Sequence, residues 1–208
     1  EKWAISKNAV EIVGPLGYSD LEREGLLIEG FDQLSTFEEQ YNYPYYQGLI
    51  EQNGYQKQVD WVEYRLFPQF EKHQKLMDFG QKIMQKLNLH IGGLDLSKKQ
   101  FIEKYKDGIF DCLDKCYKDL YGTVPFTPQM KKQMIDQFNL VINLDYLITL
   151  CDQNEKVVAF GFGIPAIGKA VQKSGGKLTI PTIIKLLKAV KKPKSVDLAL
   201  VGILPEYQ

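Results

Sequence analysis

The densest group of side chains that could contact a substrate is aromatic and lies in the first third of the chain. Tyrosine combines an apolar ring with a hydroxyl that donates and accepts hydrogen bonds, so such a group is suited to lining a substrate site. Packing of a helix against a strand explains the same residues equally well, and the sequence leaves both interpretations open. The group consists of Tyr41, Tyr43, Tyr45, Tyr46, Tyr55, Trp61 and Tyr64.

A second pattern comes within one residue of a phosphate-binding loop. Residues 163–170, GIPAIGKA, match GxxxxGK[ST] except at the last position, where Ala170 has no hydroxyl to hold magnesium. Pro165 also lacks an amide N–H that could face a phosphate. We therefore expect a loop that leads into a short helix, with nucleotide binding as a minor alternative.

The cysteines and histidines form no catalytic or metal-binding pattern. Cys112 and Cys116 are four residues apart, on one helical face, which permits a reactive pair but is more typical of buried thiols that pack as small apolar groups. His73 and His90 have no His or Cys at a metal-ligand spacing, which argues against zinc and against Ser-His-Asp chemistry. We expect no metal. Three cysteines without a CxxC pair indicate a reducing, cytoplasmic location.

Charge is balanced overall but divided unevenly along the chain. The 208 residues are 44% hydrophobic and carry 26 basic and 26 acidic side chains, a globular composition with no net charge. Residues 1–63 hold twelve acidic and four basic side chains, whereas residues 169–194 hold eight lysines and no acid. A solvated helix face explains the lysines best, and an anionic ligand or a membrane surface is the alternative.

The same composition argues against two classes of partner. Arg23 and Arg65 are the chain's two arginines, and no aromatic residues alternate with the lysines, so we expect no nucleic acid. No apolar run approaches the ~20 residues of a membrane span, so we expect no membrane partner. Because the chain begins at Glu1 and ends directly after a strand-like run, we expect a piece of a longer polypeptide.

The elements that would position these residues fall into two groups. Hydrophobic periodicity and turn residues predict an α, β, β, α, β order before a connecting helix and a β, α, α, β, β, α, β order after it. The predicted elements of the first group are a helix end at 3–9, strands at 10–13, 26–31 and 58–67, and a helix at 44–53. Those of the second are strands at 87–92, 146–151, 156–162 and 196–204, and helices at 98–120, 128–138 and from Pro181.

Three local predictions concern the second group. Ser97 is expected to cap the long helix. In the last helix, Ile183, Leu186, Leu187 and Val190 should form the face that packs on the core, with lysines opposite. Residues 196–204 are almost entirely apolar, which favours a central strand covered on both faces.

Two long stretches carry a family resemblance. The first is GPLGYSDLEREGLLIEGFDQ followed by YNYPYYQGLIEQNGYQKQVDW, and the second is KLTIPTIIKLLKAVKK followed by VDLALVGILPEYQ. Together they resemble the GNAT superfamily of acetyl-CoA-dependent N-acyltransferases, and within it an uncharacterised bacterial group with two GNAT-like halves. The combination of EGFD, PYY and ILPEYQ is the most specific part of the resemblance.

The resemblance implies an α/β fold with a mixed sheet of the GNAT type, incomplete in each half. Residues 1–69 would close a first unit, residues 70–87 would form a connecting helix, and residues 88–208 would open a second unit. The fourth strand of such a unit pairs with the pantetheine arm of acetyl-CoA, and a glycine loop after it cradles the pyrophosphate. The corresponding cofactor-contacting residues here are Ile203, Leu204, Tyr207 and Gln208, and we expect the loop itself to be missing from this chain.

The tyrosine that donates a proton in this family is replaced by another residue type in this chain. Many members carry it in LYExxGF, but residues 49–55, LIEQNGY, have Ile50 at that position. Tyr45 and Tyr46 are then the remaining catalytic candidates. The implied function is transfer of an acetyl or acyl group from coenzyme A to an unknown amine, with this fragment itself inactive.

The alternative is a non-catalytic module, built from degenerate GNAT-like halves, that binds a ligand or a partner. Two incomplete sheets would expose unpaired edges, so we also expect the chain to pair its own halves or form a homodimer.

Overall fold

The computed structural model describes residues 1–36, 39–139 and 142–208, and for residues 70–72 it describes the backbone alone. Four strands form one sheet in the order β1 (His90–Ile91), β2 (Leu147–Cys151), β3 (Val157–Pro165) and β4 (Val196–Ile203). Every neighbouring pair is antiparallel. The α/β class is therefore confirmed, but this sheet is antiparallel rather than mixed.

Three helices precede the first strand in the chain, and four lie between the strands in sequence. The order predicted for the second group is confirmed, and the short helix expected after the near-match to a phosphate loop is present as α6. A 3₁₀ turn at Leu144–Tyr146 precedes β2, and another at Pro205–Tyr207 follows β4. The helices are α1 (Lys2–Ser6), α2 (Tyr45–Gln52), α3 (Phe70–Lys86), α4 (Lys98–Tyr117), α5 (Pro128–Phe138), α6 (Gly168–Ser174) and α7 (Ile180–Lys191).

The core lies between α4 and the sheet. Ser97 caps α4 as predicted: its hydroxyl accepts from the Gln100 amide, and the Gln100 side chain bonds back to the Ser97 amide. One face of α4 is buried in the core cluster, where it meets residues of β3 and Leu204. The α4 residues of this cluster are Phe101, Tyr105, Phe110, Cys112 and Leu113, and the others are Val157, Val158, Phe160 and Leu204.

The central, covered strand is β3, not β4 as the sequence suggested. Eight of the nine residues of β3 are buried. β4 lies at the sheet edge, where Leu198 remains 69% exposed and Ile203 41%. Both strands are apolar runs, and composition alone does not tell which of two such strands takes the middle position.

In the described part of residues 1–69, the three predicted strands are wrong. Residues 10–13, 26–31 and 58–67 are turns and extended segments without ladder partners. A strand is stable only when another edge pairs with it, and β-branched composition does not supply that edge. The predicted helix at 44–53 is confirmed as α2, and Gly54 follows it with a φ of +86°.

Hydrogen bonds join residues of the 1–69 segment to the loop that follows α4. The Asp20 amide donates to the Gly122 carbonyl at 3.2 Å, and the Tyr121 hydroxyl donates to the Gln58 side chain. The helix predicted at residues 70–87 is present as α3, and its Leu76 and Phe79 are 68% and 60% exposed. No helix in the described ranges is long and apolar enough to cross a membrane.

Candidate functional site

The free edge of β4 is irregular at its centre. Leu200 pairs with Phe162 and Leu198 pairs with Gly163, so Ala199 is an extra residue without a partner on β3. A bulge of this kind leaves peptide groups outside the ladder and is over-represented next to active sites. The edge of β4 is therefore the strongest candidate for a binding site.

A tyrosine from α4 occupies the edge two residues after the bulge. The Tyr117 hydroxyl donates to the Val201 carbonyl at 3.2 Å and accepts from the Val201 amide at 3.4 Å. Both peptide groups of Val201 therefore point away from β3. Burial raises the pKa of Tyr117, so its hydroxyl stays protonated at neutral pH.

The residues expected to contact the cofactor gather at the end of β4. The Ile203 carbonyl accepts from the Cys116 thiol at 3.2 Å and from the Gln208 side-chain amide at 2.9 Å. Leu204 is 1% exposed, and its amide donates to the Val158 carbonyl at 2.9 Å. Leu204 is thus part of the core, whereas Ile203 and Gln208 lie at the edge.

Tyr207, the fourth of these residues, packs partly buried against the core cluster. Its amide donates to the Leu204 carbonyl at 2.8 Å and closes the final turn. Side chains from α4 and the C-terminal turn therefore bond to the outward peptide groups of β4. This capping covers the far end of an edge that we expected to be closed by another strand.

Cys112 of α4 is not poised for nucleophilic chemistry. The sulfur atoms of Cys112 and Cys116 lie 3.8 Å apart, and all three cysteines are free thiols. Burial, followed by the neighbouring Cys116, raises the pKa of Cys112 to about 12. Burial also raises the pKa of Cys151. Because the thiolate is the reactive form, the structure favours the packing interpretation.

Tyr45 and Tyr46, the catalytic candidates from the sequence, belong to an exposed aromatic ladder on and before α2. Their ring centroids are 4.9 Å apart, and Tyr43 stacks on Tyr45 at 5.9 Å. The rings of Tyr45 and Tyr46 are 59% and 41% exposed. Within the described ranges, the side chains bonded to the end of β4 come from α4 and Gln208, not from α2.

Asp197 is a carboxyl that the sequence gave no reason to select. It lies near the start of β4, and burial, then the charge of Glu63, raises its pKa. Four residues along a strand span about 13 Å, so Asp197 is too far from Val201 to share a proton with Tyr117 directly.

A second polar cluster, also missed, joins the β2–β3 turn to β1 and α4. The Glu155 carboxylate bonds to His90 at 2.9 Å and to Lys104 at 2.7 Å. The Lys104 ammonium is the main cause of a lowered Glu155 pKa, and the same bond raises the pKa of Lys104. Glu155 and Lys104 therefore stay charged at neutral pH and hold the turn, so neither of them is a general base. No local sequence signal joins these residues, because Glu155 lies 51 positions from Lys104 and 65 from His90.

The near-match to a phosphate loop is not a loop. Gly163 and Pro165 lie in β3 and pair with Leu198 and Val196. The short helix expected after them is confirmed as α6, and a Cβ on Gly168 would lie 3.2 Å from the Ser35 carbonyl. A segment committed to a sheet cannot wrap its amides around a phosphate, so this alternative is wrong.

No group of three or more metal-ligating side chains occurs in the part of the chain that the structure describes.

Comparison with curated proteins identifies a distant relative. The chain is 28% identical over 214 aligned residues to Protein YghO of Escherichia coli (strain K12), covering 100% of this chain and 53% of that protein. The chain therefore spans about half the length of the curated relative it matches. No family model matches the chain, and no solved structure matches it.

Proposed function

We propose that this chain forms the donor-binding part of an N-acyltransferase that moves an acetyl or other acyl group from coenzyme A to an amine. The observation that carries the proposal is the bulged free edge of β4, whose Val201 peptide groups point away from the sheet. The resemblance of residues 196–208 to the fourth strand of GNAT enzymes adds to it. Bound acetyl-CoA would supply the activated acyl thioester.

The geometry at this edge fits a pantetheine arm only after one rearrangement. An arm that pairs with Val201 has to displace the Tyr117 hydroxyl, which now satisfies both peptide groups. A displaced Tyr117 would remain beside the arm, in its protonated form because a tyrosine hydroxyl ordinarily has a pKa of about 10. It could then deliver a proton to the departing thiolate, which is the role of a general acid.

Tyr117 is therefore a better candidate than Tyr45 or Tyr46 for this role. It already bonds to the strand along which the donor would lie, whereas the other two are stacked on each other on α2.

The alternative function, a non-catalytic binding module, is favoured by the same edge. Tyr117, Cys116 and Gln208 already occupy the outward groups of Val201 and Ile203. A strand that is capped permanently by its own chain has no free groups for a donor. The two functions therefore differ in whether acetyl-CoA can displace Tyr117.

Isothermal titration calorimetry with acetyl-CoA tests this directly on the chain and its Tyr117→Phe variant. Removing the hydroxyl frees Val201, so the variant should bind about two- to tenfold more tightly, the worth of one modest hydrogen bond. Tyr121→Phe is the matched control, because the Tyr121 hydroxyl bonds to Gln58 and not to β4. It should bind like the unmodified chain.

A transfer assay on the longer Escherichia coli relative tests the activity separately. Acetyl-CoA and a panel of amines should release free coenzyme A thiol. Failure of acetyl-CoA to bind either the chain or its Tyr117→Phe variant would refute the donor-binding proposal and favour the non-catalytic module.

A further inference from the structure

The outer surface of α7 carries an apolar stripe that the described residues leave largely exposed. Ile180, Ile183, Ile184 and Leu187 follow the i, i+3, i+4, i+7 spacing of a single helical face. They are 76%, 44%, 49% and 64% exposed, respectively. We call these four residues the α7 stripe. The sequence placed Ile183 and Leu187 against the core, and the structure turns both outward.

A different face of α7 holds the helix on the protein. Thr182 is buried, and Leu186 and Val190 are half-buried. The Asn143 side chain donates to the Val190 carbonyl at 3.3 Å, near the C-terminal end of the helix. The helix is thus folded and anchored without using its stripe, so the stripe is available to another surface.

Two lysines lie next to the α7 stripe, one helical turn beyond two of its residues. Lys188 and Lys191 follow Ile184 and Leu187 by four residues, so each pair is adjacent on the helix surface. The eight lysines of residues 169–194 have no acidic residue among them to neutralise their charge. An occupant of this surface therefore has to be apolar where the stripe lies and anionic beside it.

We propose that α7 binds the surface of an anionic phospholipid bilayer, with the stripe inserted at the level of the headgroups and the lysines against the lipid phosphates. A helix with aliphatic residues on one side and lysines beside them is the usual form of an interfacial membrane anchor. Each lysine near a negatively charged leaflet adds to the attraction. This surface differs from the β4 edge and goes beyond the proposed acyl transfer.

A second copy of the chain is a less suitable occupant. In a two-fold dimer the same patch faces itself, so the stripes would meet only by bringing two sets of lysines together. A fluid bilayer accepts the aliphatic side chains and neutralises all the lysines at once. Charge complementarity therefore selects the lipid surface.

Co-sedimentation with vesicles tests the proposal. The chain should pellet with vesicles of phosphatidylcholine and phosphatidylglycerol, remain in solution with phosphatidylcholine alone, and be released by high salt. Ile184→Ser combined with Leu187→Ser should reduce the partition coefficient by at least about tenfold, because two aliphatic side chains are removed from the lipid interface. Lys188→Glu combined with Lys191→Glu should abolish the preference for anionic lipid.

Leu76→Ser combined with Phe79→Ser is the matched control. It removes two apolar side chains of similar exposure, 68% and 60% against 49% and 64%, from α3 and should leave vesicle binding unchanged. Circular dichroism and thermal unfolding establish that each variant is folded before binding is compared. Equal binding to neutral vesicles, unchanged binding of the stripe variant, or an equal loss in the α3 control would overturn the proposal.

Sedimentation velocity separates the remaining alternative. A dimer that the stripe variant dissociates, together with no binding to anionic vesicles, would make the α7 stripe a self-association surface and overturn the lipid proposal.

Discussion

Gly108 of α4 lies close to Val157 of β3, and its replacement by alanine has two opposed effects. A Cβ at this position would lie 2.8 Å from Cγ2 and 3.2 Å from Cβ of Val157. Val157 is 5% exposed and belongs to the core, so it has little room to move. The same substitution removes a glycine from the interior of a helix, which favours the folded state.

The balance can be worked out from these two effects. Glycine to alanine in a helix interior stabilises by about 1 kcal/mol. Forcing a methyl group into a packed core costs about 1 to 3 kcal/mol. Gly108→Ala should therefore destabilise the protein by roughly 0 to 2 kcal/mol, since the loss outweighs the gain. In a Val157→Ala background the closest atom is absent, and Gly108→Ala should stabilise by up to about 1 kcal/mol.

Urea unfolding of the four proteins of this double-mutant cycle measures the reversal of sign. The expected coupling between the two positions is about 1 to 3 kcal/mol. Gly80→Ala in α3 is the control for helix propensity, because nothing lies within 4 Å of a Cβ built there. If Gly108→Ala were as stabilising in the unmodified chain as in the Val157→Ala background, the close approach of α4 to β3 would be wrong.

Three further predictions concern the cap of α4, the β2–β3 turn and the buried thiols. Ser97→Ala removes the capping box and should lower the free energy of unfolding by about 1 kcal/mol in a urea titration. The lowered pKa of Glu155 means that its contribution to stability is complete above the ordinary value of 4.5 and is lost as pH falls through the folded-state pKa. The difference in unfolding midpoint between the unmodified chain and Glu155→Gln should therefore be largest above pH 4.5 and shrink as the pH falls below that value. Cys112, with a pKa of about 12, should resist alkylation in the native protein at pH 8 and react only after unfolding, as mass spectrometry of the labelled peptides would show.

Local signals in the sequence predicted local structure well. Ser97 and Gln100 are three residues apart, so the start of α4 is specified by neighbouring residues. The turn between β2 and β3 is likewise set locally, because the Asp152 carboxylate accepts from the amides of Asn154 and Lys156. In both cases the interaction that defines the element is contained in the segment itself.

Non-local features were not predictable from the same patterns. The strands expected before residue 68 had the right composition but found no partner edge. Which face of α7 points outward depends on which face packs against the rest of the protein. Apolar residues occupy a wide arc of this helix, so their spacing alone does not predict the packed face. The candidate site shows the same limit: Tyr117 bonds to a residue 84 positions away, and no spacing rule connects them.

The resemblance located the end of β4 but not its surroundings. It brought Ile203, Tyr207 and Gln208 into one region, as the structure does. It did not indicate that Leu204 would enter the core or that Tyr117 would cover the strand. Whether this region binds acetyl-CoA stays a prediction.

The capping of β4 also bears on aggregation. Residues 196–203, VDLALVGI, combine high β propensity with a single charge, the composition of segments that recruit further strands. Tyr117, Cys116 and Gln208 occupy the groups at Val201 and Ile203 through which an incoming strand would pair. These three side chains therefore block the pairing of a further strand at this end of β4, the step by which a fibre would grow. A ligand that displaces Tyr117 has to replace it as the cover of this edge for as long as it stays bound.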